Sequence, residues 1–342
     1  MKNYKKNEKT LNYLDNPNLT FHKILNINDI PFQGFSVDRF DYFILNKIIY
    51  IVVPSVFYIG SNPLCIYKLN KFFNLEKILS LDGHKNPIIL VKNFFDEKNN
   101  KNYLLTSDTF PLVLIWEIKN ENSIIIKHTI SIYNFGEILS ALILFEPRNK
   151  IILTSNNESL YSSEFSINSG NFIRYIPGTN NKTYYILEYK NYIIELCFDK
   201  IYFYNLTENN EEFLIKNENT NGINIYGCVI NDTLFINNFS YGKIIIFDLL
   251  EKIVINVIDT GKTENLNALI KWNKNYIIST DLKNQYFYII DVNQKKIINK
   301  AKTKLNPMYI KKLKLDKAKY YLENILLILS DKFKFEIFKK KQ

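Results

Sequence analysis

From Asn102 the chain reads NYLLTSDTFPLVLIWEIKNENSIIIKHTI: an apolar run, a polar turn, an apolar run ending in Trp116-Glu117, another turn, and a third apolar run. The same order returns from Asn149, Asn191, Asp232 and Asn275, and an incomplete copy starts at Asn324. One more apolar run precedes each copy, as in NPIILVKNF from Asn86 and ILSALILF from Ile138. The place of Trp116-Glu117 is taken by Tyr204-Asn205, Phe247-Asp248 and Ile290-Asp291 in later copies. The interval is about 40–50 residues, the range of propeller-type repeats.

The runs are short and rich in Ile, Val, Tyr, Phe and Leu, and Asn, Asp, Gly, Lys and Ser separate them, which is the chemistry of strands and tight turns. Helical spacing is met only briefly, in LNALIKWNKN from Leu266 and PMYIKKLKLDKAKYYLEN from Pro307, and both read better as strand plus turn within the repeat. Four strands per unit at this period is the signature of a β-propeller blade, a sheet that buries its faces only against neighbouring copies. The fold class expected is therefore all-β, a seven-bladed propeller forming one domain over residues 18–341, with 1–17 a flexible tail. Its blades fall at about 35–80, 84–131, 138–177, 183–218, 223–260, 265–304 and 307–341. The last copy stops at its third strand, FKFEIF, and the run LTFHKILNI from Leu19 to Ile27 is predicted to supply the fourth. Such closure removes two free sheet edges, so deleting 1–27 should destabilise the ring and deleting 1–16 should change little.

Gly83-His84, followed about thirty residues later by Trp116-Glu117, resembles a WD40 repeat. In that family Gly-His opens the repeat and Trp-Asp closes its third strand, while the closing blade commonly takes its outer strand from the N-terminus. The resemblance also implies a hydrogen-bonded structural tetrad of His, a strand Ser or Thr, a turn Asp and the Trp. His84, Thr106 and Trp116 stand at the matching positions, whereas Phe110 occupies the place expected for the Asp, and Asp108 needs a longer turn to substitute. Glu117 stands where the family has Asp. On this reading His84 is a buried structural imidazole rather than a catalytic one, and Trp116 belongs to the core.

The net charge of +10 invites a polyanion partner, but only Arg39, Arg148 and Arg174 are arginines. Recognition of phosphates and bases favours arginine's planar fork, so the lysines read as a diffuse, solvated surface in a residue set typical of an AT-rich genome. Arg174 stands alone in FIRYIPG, unlike the paired arginines of propeller lipid binders. RNA, ribonucleoprotein or anionic-lipid binding is kept as the alternative function. Cys65, Cys197 and Cys228 are widely spaced and form no Cys-x-x-Cys motif, which suits a reducing compartment, the cytoplasm or nucleus. No signal-peptide h-region is apparent, and the longest apolar run, residues 48–60, is too short to span a bilayer and contains Pro54.

Catalytic chemistry has little to draw on. His22, His84 and His128 are the only histidines, and all fall in predicted strands or the tetrad. Nucleophile-elbow, zincin, dinucleotide and phosphate-loop motifs are missing, as are calcium loops. The acids in the turns at Ser107 and Ser279 follow from turn chemistry. The expectation is thus no catalytic residue, no metal and no cofactor. What remains is a non-enzymatic interaction scaffold for protein or peptide partners. A propeller gathers its d–a links and b–c turns on one face, which here would carry Lys85, Phe110, Tyr133, Phe135, Lys182, Tyr241, Lys262 and Lys283. Exposed aromatics among lysines suit a short acidic or amphipathic peptide.

Overall fold

Seven four-stranded antiparallel sheets account for all the named strands of the computed structural model, and no helix occurs among its described residues. Those residues are 19–27, 39–55, 62–132, 136–145, 148–156, 162–176, 182–207, 210–215, 222–261, 266–313, 325–330 and 334–340. The expected tail at 1–17 lies outside them. Six sheets are each built from consecutive strands a to d: Asp41–Leu81, Ile88–Ser131, Ile138–Tyr175, Thr183–Ile215, Asn224–Asp259 and Leu266–Lys302. The seventh takes strands a to c from Pro307–Leu313, Ile325–Ser330 and Lys334–Lys340, and its outer strand from Leu19–Asn26. The ring is a seven-bladed β-propeller closed by its N-terminal strand.

One irregularity is shared by all seven blades. Between strands c and d the register slips by one residue immediately beside the repeat's marker position: at Ile66/Tyr67, Ile115/Trp116, Glu164/Phe165, Phe203/Tyr204, Ile246/Phe247 and Ile289/Ile290. In the closing blade the slip is between Phe21 and Lys23, opposite Phe338 and Ile337. The outer strand therefore carries one extra residue there, a β-bulge that increases local twist. The marker residues are Tyr67, Trp116, Phe165, Tyr204, Phe247, Ile290 and Phe338, all buried. The position demands a large apolar side chain at a twist point, which Phe, Tyr and Ile fill as well as Trp.

Strands b and c are buried over most of their length, and Tyr276–Asp281 and Ile325–Ser330 throughout, because a neighbouring blade covers each sheet face. Their sequences are accordingly continuous apolar runs, and each buried Ile or Phe contributes about 1.5–3 kcal/mol. Aromatic pairs join blades: Phe203 to Phe247 at 5.9 Å and Phe287 to Phe338 at 5.0 Å between ring centroids. Asn46-Lys47 and Asn231-Asp232 make two-residue hairpins with both φ angles positive, the geometry that matches strand twist.

Polar contacts sew the ring at its seam. Asp41 in blade 1 accepts the Asn93 N–H of blade 2 at 2.8 Å and pairs with Lys311 of blade 7 at 3.4 Å. The Tyr42 hydroxyl donates to the Lys312 carbonyl at 2.9 Å. Burial, reinforced by the Asp41 carboxylate, pushes the Tyr42 phenol up to about 12, so it remains a donor.

Candidate interaction face

Blade 2 holds a buried polar chain across its first two links. Trp116 Nε1–H donates to Thr106 Oγ1 at 2.8 Å, and the same oxygen lies 2.8 Å from His84 Nε2. His84 Nδ1 lies 3.1 Å from Asp108 Oδ2. With its lone pair engaged by the indole, the Thr106 hydroxyl proton is free for Nε2, which leaves Nδ1–H to donate to Asp108. Asp108 therefore occupies the place that the sequence reading doubted. The turn it opens is long enough because its second oxygen, Oδ1, accepts the N–H groups of Phe110 at 3.0 Å and Leu112 at 3.2 Å. Gly83 is required beside it: a Cβ there would stand 2.8 Å from Leu114 Cδ1 and 2.9 Å from the Trp116 ring.

By register, the residues equivalent to Thr106 are Val53, Leu153, Glu195, Ile236, Ser279 and Ile328. The other blades are pinned differently. Between blades 4 and 5, Asn224 Nδ2 donates to the Cys197 carbonyl at 3.0 Å, and Asn238 Nδ2 donates to Asn224 Oδ1 at 3.1 Å. Asn238 Oδ1 then accepts the Tyr241 N–H at 3.1 Å. This relay holds two neighbouring b–c turns in fixed relation, and both carry an exposed aromatic, Phe198 at 49% and Tyr241 at 47%. Gly222, at φ +88°, lies between them: a Cβ on it would stand 3.1 Å from the Tyr241 ring, and its carbonyl accepts the Asp199 N–H at 2.9 Å.

Because strands alternate in direction, every b–c turn and d–a link of the ring opens on the same face. Phe110, 74% exposed, projects there from the Asp108 turn, with Lys85 on the adjoining link. Lys182 precedes blade 4, its ammonium 5.2 Å from the Tyr184 ring centroid, and Tyr241 has Lys243 at 5.8 Å. Lys283 is exposed on the blade 6 turn. These residues are spread around the rim; Phe198, on the turn that the Asn224–Asn238 relay ties to that of Tyr241, was missed because its turn, Phe198-Asp199-Lys200, is too short to stand out from the flanking strands. Tyr133, Phe135 and Lys262 lie outside the described residues.

Elsewhere a cavity of about 480 Å³ opens between blades 1 and 2, lined by Asp41, Tyr42, Phe43, Ile44, Asn93, Phe95 and Asn102. None of the three cysteines forms a disulfide, and burial pushes the Cys197 thiol up strongly and that of Cys228 up to about 12. Among the described residues no three His, Cys, Asp or Glu side chains converge as metal ligands, and no helix is long and apolar enough to cross a membrane.

No protein-family model matches the sequence, and no curated protein matches it. Among solved structures the chain is similar to a chain in the crystal structure of the mitotic checkpoint complex, with a TM-score of 0.71 at 10% identity, covering 94% of this chain and 92% of that one. At that identity the likeness establishes the fold: a seven-bladed β-propeller.

Proposed function

We propose that the chain is a divergent WD40-type propeller that acts as a non-enzymatic scaffold, docking protein or peptide partners on its b–c and d–a face. The observation that carries this reading is Phe110. It is 74% exposed, yet both ends of its turn are fixed by one carboxylate that is itself tied to the buried His84. An aromatic already held outward loses little freedom on binding, which is the property of an interface anchor. Phe198 and Tyr241, held by the Asn224–Asn238 relay, offer a second anchor pair, and the lysines around them favour acidic partners. The structural neighbour is part of a protein complex, which is consistent with such a role.

The test is tagged purification from the source cells with nuclease present, comparing wild type with the Phe110→Ala/Phe198→Ala/Tyr241→Ala variant by quantitative mass spectrometry. Stoichiometric partners should be lost from the variant while its thermal midpoint stays unchanged. An identical partner set in both would overturn the assignment of this face.

A further inference from the structure

Strand register sets three side chains of blade 2 in one row on its side toward blade 1. Phe95, on strand a, pairs across the hairpin with Asn102 on strand b, and Asn93 stands two residues before Phe95. Side chains alternate along a strand and paired residues share a face, so all three point the same way. Phe94, between them, points the other way and stacks on Tyr103 at 5.3 Å, in the core shared with blade 3. Opposite the row, strand a of blade 1 presents Asp41 and Phe43, and the cavity of about 480 Å³ lies between.

Two hydrogen bonds bracket this cavity. At one end Asp41 Oδ2 accepts the Asn93 N–H at 2.8 Å, and at the other Asn102 Nδ2 donates to the Ile44 carbonyl at 3.3 Å. Between these bridges Phe95 is left 42% exposed. The facing wall is apolar, with Phe43 buried and stacked on Tyr50 at 5.0 Å. Asn93 turns Oδ1 inward, where it is buried, which leaves Nδ2 to the cavity as a donor. Asn102 spends Nδ2 on blade 1 and keeps Oδ1 as an acceptor. Among the described residues no protein group bonds Asn93 Nδ2 or Asn102 Oδ1. Asp41, the one charged residue of the described lining, is already met by Lys311 Nζ at 3.4 Å. The cavity thus offers a neutral donor, a neutral acceptor and an aromatic face.

We propose that this cleft takes the phenol ring of a tyrosine carried by a partner chain. A hydroxyl both donates and accepts, so one group serves Asn102 Oδ1 and Asn93 Nδ2 together while its ring stacks on Phe95. The two asparagines are diagonal neighbours across the hairpin, about 7–8 Å apart, within reach of a single oxygen between them. Phenylalanine would leave both amides unmet, and lysine or arginine would bring a second cation beside Lys311. The volume falls in the range of ligand pockets, about 300–1,000 Å³. The row ends at the a–b turn of blade 2, so the cleft lies toward the face opposite Phe110 and stands independently of the docking proposed there.

The experiment uses the full chain and saturation-transfer NMR with acetyl-Gly-Tyr-Gly-amide, its phenylalanine and O-methyltyrosine counterparts, and free p-cresol. The tyrosine peptide should bind at least about fivefold more tightly than either counterpart, the scale of one lost hydrogen bond. Asn102→Ala should erase that preference. Phe95→Ala should weaken all three peptides, and Phe110→Ala should leave them unchanged, which separates this cleft from the opposite face. Thermal melts establish that the variants fold, and the comparison among peptides needs wild type alone. Equal affinity for the tyrosine and phenylalanine peptides overturns the proposal, as does a preference that survives Asn102→Ala. Binding of p-cresol without binding of the tyrosine peptide overturns it too, and would make the cleft a site for free phenols.

Discussion

His84 Nδ1 and Asp108 Oδ2 meet 3.1 Å apart where neither side chain is more than 1% exposed. The pair joins the link that enters blade 2 to the end of its second strand, and Thr106 and Trp116 extend it into the sheet. Removing the imidazole leaves a buried carboxylate oxygen and a buried hydroxyl without that partner. His84→Ala should therefore lower the unfolding free energy by about 1–3 kcal/mol, measured by urea denaturation. A loss below about 0.3 kcal/mol would mean that this chain of bonds is not formed in solution.

The strand order and the marker at Trp116, Tyr204, Phe247 and Ile290 were legible because apolar runs and turns repeat whatever their exact residues. Tyr67, Phe165 and Phe338 were not recognised as equivalents, since a twist point beside a bulge selects bulk and not one side chain. Asp108 was doubted on family spacing, which carries no information about a carboxylate that can cap two N–H groups of its own turn. Net charge averaged over the chain hid its unevenness along the sequence: residues 295–342 sum to +11 and the preceding 294 to −1. The Asn224–Asn238 relay was invisible for a different reason. In a chain this rich in asparagine, a buried structural Asn and a turn Asn look alike until the fold brings blades 4 and 5 together.

Closure depends on the strand Leu19–Asn26. It buries Leu19 and Leu25 and sets Phe21 edge-on to Phe338 at 5.8 Å. Deleting residues 1–27 strips these contacts and bares the edge of Lys334–Lys340, a template for aggregation. The expected result is a stability loss of at least about 3 kcal/mol, the burial of two leucines, together with oligomers on size exclusion. A chain starting at residue 17 keeps the strand and should melt as the full protein does. If the longer deletion remains monomeric with an unchanged midpoint, N-terminal closure is wrong.

Glu164 is completely buried in blade 3, with Lys150 Nζ 2.7 Å from Oε1 and Arg174 Nη2 and Nε at 3.0 and 3.1 Å from Oε2. Arg174 also lies 5.8 Å from the Tyr204 ring of blade 4, so the cluster spans two blades. Glu164→Gln leaves two cations facing a neutral amide. Both cations are about a quarter exposed, which moderates the cost, and a loss of about 2 kcal/mol is expected. Replacing all three by Met or Leu should recover much of it, because a buried ion cluster and a packed apolar one are near in energy. A Glu164→Gln midpoint equal to wild type would show the cluster to be energetically idle.

Glu336 gives the closing blade a pH dependence whose sign can be stated. Burial raises its carboxyl above the ordinary carboxylate range, and the N–H bonds from Lys304 and Leu305 oppose that shift without cancelling it. A raised carboxyl binds its proton more tightly in the folded chain than in the unfolded one. Its contribution to stability is thus fully present below the unfolded value of about 4.5 and is lost as pH rises through the folded value. Relative to Glu336→Gln, which cannot titrate, wild type should gain stability as the buffer is taken from pH 7 down towards about 4.5. The readout is the difference in thermal midpoint between the two proteins at each pH, so that titrations common to both cancel. A difference that stays flat would remove Glu336 from the account, and one that moves against wild type on acidification would show that the two backbone donors outweigh burial.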